Sequence, residues 1–332
     1  MPHEALPGLY LLPIPLPDNP LSAVNAYVVR ADDGVRLVDC GWDTPEAYAA
    51  MVGELAALGA TVGDVRELLV THIHPDHFGL AGRLVAESGA RESMPRSEAA
   101  LIGARYEDAR ELVTMMEEWL AAVGVPRDEL EATAGVSLWM VSHVGTRRPD
   151  MLLDGGETLE WGAYRFEVIP TPGHSAGLVC LYDRAARVLL SSDHVLERTS
   201  PHIGLHVQSG GDPLGDYLRS LRRVRDLDVA LVLPGHGAPF HDLAGRVDAL
   251  IAHHERRCAQ MLDILADGAL TPYDLASRLP WRGAPDGWQR LDAFPRRLAV
   301  TETVAHLEYL RRRDRLTRRI HDGVALYRPG AS

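Results

Sequence analysis

Thr71-His72-Ile73-His74-Pro75-Asp76-His77 places three imidazoles and one carboxylate within six consecutive positions, His72 to His77. Imidazole nitrogen and carboxylate oxygen suit zinc and related divalent ions. The apolar run Leu68-Leu69-Val70 just before it reads as a strand. Alternation then carries His72 and His74 from the strand end into one site, while Asp76 and His77 face a neighbouring one. A lone His-x-His also fits a solvated turn, so the rest of the chain has to decide.

Four more segments repeat the same logic of an apolar strand ending in a turn that carries a ligand-type residue. They are Phe166 to Ile169 followed by Thr171-Pro172-Gly173-His174, Val188-Leu189-Leu190 followed by Ser191-Ser192-Asp193-His194, Leu231-Val232-Leu233 followed by Pro234-Gly235-His236, and, upstream, Leu37-Val38 followed by Asp39-Cys40-Gly41.

In this order the chain resembles the metallo-β-lactamase-fold hydrolase superfamily, whose motifs are an early Asp, HxHxDH, a His, a bridging Asp and a final His. The resemblance covers roughly residues 8 to 245. It implies an αββα sandwich with two divalent ions, zinc first and manganese or iron as alternatives. His72, His74 and His174 would hold one ion, Asp76, His77 and His236 the other, and Asp193 would bridge them. Asp39 would orient a ligand from outside, a role compatible with an Asx-type turn after a strand. A shared carboxylate and a shared hydroxide would neutralise the gap between two cations, and that hydroxide would be the nucleophile. Asp76 and Asp193 are therefore also the catalytic candidates.

Departures from well-known relatives narrow the expectation. Antibiotic-cleaving members of one common subclass use Arg and Cys where this chain has His77 and Asp193. Flavin-partnered di-iron members carry Glu at the place of His74. The pattern is the glyoxalase II type, which favours cleavage of an ester-like bond, a thioester or lactone, in a small acyl substrate. Endoribonuclease, β-lactamase and mononuclear-iron persulfide dioxygenase stay open as alternatives, because one fold hosts many chemistries.

Composition agrees with an enzyme of this kind. A net charge of −12 disfavours a nucleic-acid partner, whose basic footprint would dominate the balance. Cys40, Cys180 and Cys258 lack CxxC spacing and read as small apolar residues. No apolar run reaches the ~18 residues of a membrane span and the N-terminus lacks a signal-peptide pattern, so a cytoplasmic location without membrane contact is expected.

The elements that position these residues are legible in part. Tyr10 to Leu12, Asn25 to Val29 and Val35 to Val38 read as antiparallel strands around an Asp32-Asp33-Gly34 turn. Thr44-Pro45-Glu46 caps a helix running to about Leu58-Gly59. Glu67 to Val70 is the strand before the HxHxDH loop, and Gly79 to Ser88 the helix after it.

Residues 91–150 exceed the minimal pattern and read as a helical insertion. Leu101, Arg105, Ala109, Leu112, Val113, Met116, Trp119, Leu120 and Val123 recur at helical spacing as one helix, and Arg127 to Val144 forms a second. This insertion is either a lid with an apolar pocket, in which Trp119 meets substrate, or a packing element through which two copies form a homodimer. His202 and His206, in the loop after Asp193, either hydrogen-bond substrate or are solvated.

The catalytic unit is thus expected over residues 1–245 and a C-terminal unit over 246–332. Helices are expected over Ala244 to Ala266, from Thr271, and over Val300 to Arg312, followed by a two-strand wing at Asp314 to Arg328. This succession resembles the winged-helix-like tail of lactamase-like protein 2 relatives. Arg311, Arg312, Arg313, Arg315, Arg318 and Arg319 read as a solvated charged face more readily than as a phosphate grip.

Overall fold

The structure is a computed structural model and describes residues 2–17, 19, 21–281 and 287–330. Strands β1 (His3–Leu6), β2 (Leu9–Pro15), β3 (Ala23–Ala31), β4 (Gly34–Val38), β5 (Val65–Leu69), β6 (Arg91–Pro95) and β7 (Met151–Leu153) form one sheet in that spatial order. Pairing is antiparallel from β1 to β4 and parallel from β4 to β7. Strands β8 (Thr158–Trp161), β9 (Tyr164–Pro170), β10 (Val179–Asp183), β11 (Val188–Ser192) and β12 (Leu231–Pro234) form the second, ordered β12-β11-β10-β9-β8.

Period-two alternation sorts the strand residues into layers. Along β3, Val24, Ala26 and Val28 enter one core while Tyr27 and Val29 enter another. The second of these lies between the sheets, where Leu9, Leu11, Tyr27 and Leu69 meet Phe166, Val168, Leu181 and Leu190. On the outer face of the first sheet, Met51 and Leu55 of α1 (Pro45–Ala57) pack on Leu37 and Leu68. Thr44 caps α1 by accepting from the Ala47 N–H at 3.1 Å, with Pro45 at the first helical position. Helices α2 (Pro75–Phe78) and α3 (Ala81–Ser88) follow the HxHxDH loop, and α4 (Arg96–Ala99), α5 (Ala109–Ala122) and α6 (Arg127–Val141) make the insertion. The fold is therefore the expected mixed αββα sandwich.

The outer face of the second sheet is covered by α7 (Pro213–Arg225), α8 (Leu243–Leu265), α9 (Pro272–Arg278) and α10 (Ala293–Arg311). Leu214, Tyr217, Val247, Met261 and Leu307 share one buried cluster with Cys180, Tyr182 and Leu189. The hairpin of β13 (Leu316–His321) and β14 (Val324–Pro329) closes this cluster through Leu316 and Tyr327. A second contact joins the insertion to the tail, with Leu120, Val123 and Leu130 packed on Ala276, Val300 and Val304. Among the described residues no helix is long and apolar enough to cross a membrane.

Three sequence expectations need correction. Residues 91–95 are strand β6, bonded between β5 and β7, so the insertion begins after them. The helix expected from Leu101 is broken: Gly103–Glu107 forms a π-helical turn and α5 starts only at Ala109. Within that turn Tyr106 points inward and donates to the Ile73 carbonyl, a constraint that periodicity does not carry. Helix α10 begins at Ala293, ahead of the expected Val300. Several tail arginines are taken by carboxylates of the chain itself: Arg311 and Arg318 bond Glu308 at 2.7 and 3.2 Å, and Arg313 lies 3.3 Å from Asp212.

Because α10 shares its core with the second sheet, Leu307, fully buried there, should matter to the whole fold. Leu307→Ala is expected to lower the unfolding free energy by roughly 2–5 kcal/mol. A loss below about 1 kcal/mol in a denaturant titration would mean that the tail is only loosely attached.

Candidate metal centre

The site lies at one end of the sandwich, where β4, β5, β9, β11 and β12 end. After β5 the chain bends through Thr71, His72 and Ile73, with Ile73 fully buried in the core and His72 and His74 gathered at the site. Pro75 then starts α2 with His74 at the cap position, and one helical turn brings Asp76 and His77 alongside. Glu98, buried on α4, accepts from the N–H of Ile73 at 2.9 Å and from the N–H of Gly177, tying the HxHxDH loop to the loop of His174. No sequence signal pointed to Glu98. Only glycine fits at two approaches: a Cβ on Gly235 would stand 2.4 Å from Asp193 Oδ1, and one on Gly173, at φ +142°, would stand 2.4 Å from Tyr217 Cβ.

Outer hydrogen bonds set which nitrogen faces inward in four of the five rings, His72, His77, His174 and His236. His77 Nδ1 donates to Asp39 Oδ2 at 2.7 Å, His174 Nδ1 to the His202 carbonyl at 2.9 Å, and His236 Nδ1 to the Ala23 carbonyl at 2.8 Å. Asp39 itself sits at φ +58° and also accepts from the Thr71 N–H and hydroxyl, at 2.8 and 2.9 Å. The single hydroxyl proton of Thr71 goes to that acceptor-only carboxylate, so His72 Nδ1, 3.1 Å from the same hydroxyl, must donate. The other nitrogen of each of these rings is thereby left facing inward, where an ion can take it.

The structure brings all seven expected ligand residues together in three overlapping groups: His72 with His74 and His174, His72 with His77 and Asp193, and Asp76 with His77 and His236. In the first group His74 Nδ1 lies 3.0 Å from His72 Nε2 and 2.9 Å from His174 Nε2, a convergence of nitrogens that calls for a cation. Asp193 lies between the groups, with Oδ1 3.6 Å from His77 Nε2 and 3.5 Å from His236 Nε2, and Oδ2 3.5 Å from His174 Nε2. Its turn is set by Ser192 at φ +46° and an irregularity in the β11–β12 pairing.

These residues fit a metal on physical grounds. Among the described residues His77 Nε2, His236 Nε2 and Asp193 Oδ1 are buried without a hydrogen-bond partner, an arrangement that costs about 1–3 kcal/mol per group unless something binds them. Burial holds His72 and His74 well below the ordinary imidazole range, leaving them neutral as ligands require. Burial works against charge on His236 too, yet Asp193 and Asp76 raise it to about 10. His77 is likewise raised, by Asp39, Asp193 and Asp76. This half of the site demands positive charge, which protons supply when no ion is bound.

A cavity of about 290 Å³ opens onto His74, Asp76, His174 and Asp193. Its apolar wall comes from the insertion, through Leu112, Val113, Met116, Leu120, Met140 and Val141. Its far wall is α10, through Phe294, Arg297, Leu298 and Thr301. Trp119 is not on the wall; at the edge of the same arc of α5 it packs against the cluster shared with the tail. His202 lines the cavity, but its ring is held by the tail, 3.2 Å from Thr301 Oγ1 and 3.6 Å from Glu302 Oε2. His206 also lines it, and burial followed by the charge of Arg105 pushes its pKa down to about 3. Arg105 and Arg297, unforeseen as cavity residues, complete the polar part of the lining. His194 lies outside the cluster, buried against the Tyr217 ring.

Comparison with known proteins agrees with this geometry. The sequence model of the metallo-beta-lactamase superfamily matches residues 19–236. A crystal structure of a metallo-beta-lactamase family protein from Thermus thermophilus superposes with a TM-score of 0.83 at 34% identity, covering 98% of this chain and 99% of that one. A probable metallo-hydrolase of Bacillus subtilis is 26% identical over 309 residues, 89% of each chain. An acyl-coenzyme A thioesterase of Gallus gallus is 29% identical over 225 residues, 64% of this chain and 72% of its own. The chain belongs to the metallo-beta-lactamase superfamily and is a metallo-hydrolase.

Two outcomes follow from the electrostatics. Since the neighbouring carboxylates raise His77 and His236 and so favour their protonated forms in the ion-free protein, a divalent ion competes with protons there. Zinc affinity should therefore rise between pH 6 and pH 8, with proton release visible by calorimetry in buffers of different ionisation enthalpy; a flat profile would contradict the assignment. Separately, Asp39→Asn removes the carboxylate that orients His77, and chelator competition should show metal affinity weakened 10–100-fold. Unchanged affinity would reduce Asp39 to a turn residue.

Proposed function

We propose that this metallo-hydrolase uses a dinuclear centre to cleave an ester-like bond, a thioester or lactone, in a small acyl substrate. The observation that carries this reading is the apolar cavity opening directly onto the candidate ligands. Such a wall suits an acyl chain, whereas a phosphodiester strand needs a charged groove. The similarity to an acyl-coenzyme A thioesterase supports the same substrate class.

His72, His74 and His174 would hold one ion and Asp76, His77 and His236 the second, zinc being the ion that this nitrogen-rich set suits best. When bound, such ions polarise a carbonyl oxygen and lower the pKa of water to about 7. Asp193, against ligands of both groups, supplies the negative charge that lets two cations sit close together. Asp39, Thr71 and the His202 carbonyl hold the rings in place before substrate arrives, so little reorganisation remains for the reaction. The insertion and α10 wall the acyl chain from water.

A panel of acyl thioesters, lactones, nitrocefin and single-stranded RNA, assayed with zinc-loaded and manganese-loaded protein, tests the reading. The expected result is two ions per chain and turnover concentrated in the thioesters or lactones. Asp193→Ala should lose one ion and at least about a thousandfold in kcat/KM, on the scale of losing a major electrostatic contribution. Full activity with two ions in Asp193→Ala, or turnover of RNA alone, would refute it.

A further inference from the structure

Arg105 and Arg297 reach the same cavity from opposite walls, one from the π-helical turn that interrupts the insertion and the other from α10. Arg297 is held in place: its Nη1 donates to Ser137 Oγ on α6, and its guanidinium lies 4.7 Å from the centre of the Phe294 ring. Arg105 lines the cavity and also the polar recess beside His74, His174 and Ser175. Among the described residues neither guanidinium has a carboxylate within ion-pair distance, unlike Arg296 beside it, which bonds Glu129 at 2.6 Å. Glu98 acts on Arg105 only at longer range, with its oxygens already taken by the N–H groups of Ile73 and Gly177. Glu117, also on the wall, lies eight residues into α5 from Ala109, roughly 12 Å along its axis. Burial and the nearby Arg105 hold the Arg297 pKa down at about 10.

Two positive groups facing one cavity beside a cationic centre repel each other unless an anion stands between them. Guanidinium groups recognise carboxylate and phosphate oxygens through paired N–H donors. We propose that Arg105 and Arg297 form an anion clamp, so that the acyl substrate carries a second, negatively charged group, a carboxylate or phosphate, bound between the metal centre and the apolar wall. This rests on the acyl-hydrolase reading and narrows it from acyl compounds in general to acidic ones. The π-helical turn then has a purpose: it turns Tyr106 into the core and leaves Arg105 on the cavity.

Three thioesters of matched chain length separate the sources of charge: hexanoyl-N-acetylcysteamine, which is neutral, its adipoyl counterpart with a terminal carboxylate, and hexanoyl-4′-phosphopantetheine. The wild type should show a KM at least tenfold lower for one of the two charged substrates than for the neutral one. In Arg297→Gln and in Arg105→Gln that preference should fall to within threefold, Arg297→Lys should restore part of it, and Arg110→Gln, exposed on α5, should keep it. Equal KM for all three substrates in the wild type, or a preference that survives both glutamine variants, overturns the clamp. If no thioester is hydrolysed, the acyl-hydrolase reading fails separately, and calorimetry with adipate and with 4′-phosphopantetheine still decides. Binding of either one that weakens at least tenfold in Arg297→Gln supports the clamp, and binding of neither, or equal binding by both proteins, overturns it.

Discussion

The hydrogen bond from His77 Nδ1 to the Asp39 carboxylate, 2.7 Å long and wholly buried, shows the constraint under which the site is built. An imidazole can present a lone pair inward only if its other nitrogen is occupied outside. His72, His174 and His236 meet the same condition with the Thr71 hydroxyl and two backbone carbonyls. Each outer partner belongs to a different stretch of chain, so the two sheets must register correctly before any ring is oriented. The sandwich serves that requirement: the strand ends of both sheets converge on one edge, and the buried cluster between them fixes their spacing.

The inner side of the site is electrostatically unfinished, and that is its function. His72 Nε2 and His174 Nε2 both lie about 3 Å from His74 Nδ1, and two carboxylates face two imidazoles whose inward nitrogens lack hydrogen-bond partners among the described residues. Buried groups of this kind call for a cation to complete them. The same argument extends outward to the cavity, where two guanidinium groups without carboxylate partners among the described residues face an apolar wall. The molecule thus holds two complementary demands a short distance apart, one for cations and one for an anion with an apolar body.

The ligand set was legible in the sequence because metal chemistry restricts residue types and because His72 to His77 arrive from one strand end. The strands and helices around it were legible where period-two or helical spacing met a turn residue, as at Thr44-Pro45 or the His321-Asp322-Gly323 hairpin. Glu98, Arg105 and Arg297 were not, since each acts through partners 25 or more positions away or across a cavity that exists only once the chain is folded. Trp119 misled for a related reason: periodicity identifies the apolar arc of α5, but that arc serves two neighbours, a cavity and the tail. The tail read as a C-terminal unit from its change of pattern; that its helices share the core beneath the second sheet depends on contacts that only the folded chain makes.

Anomalous diffraction at the zinc absorption edge, from crystals of the zinc-loaded protein, tests the central claim most directly. The account predicts two peaks per chain, one among His72, His74 and His174 and one among Asp76, His77 and His236, with the Asp193 carboxylate between them. A single peak, or zinc bound elsewhere while these seven side chains stay unliganded, would contradict it.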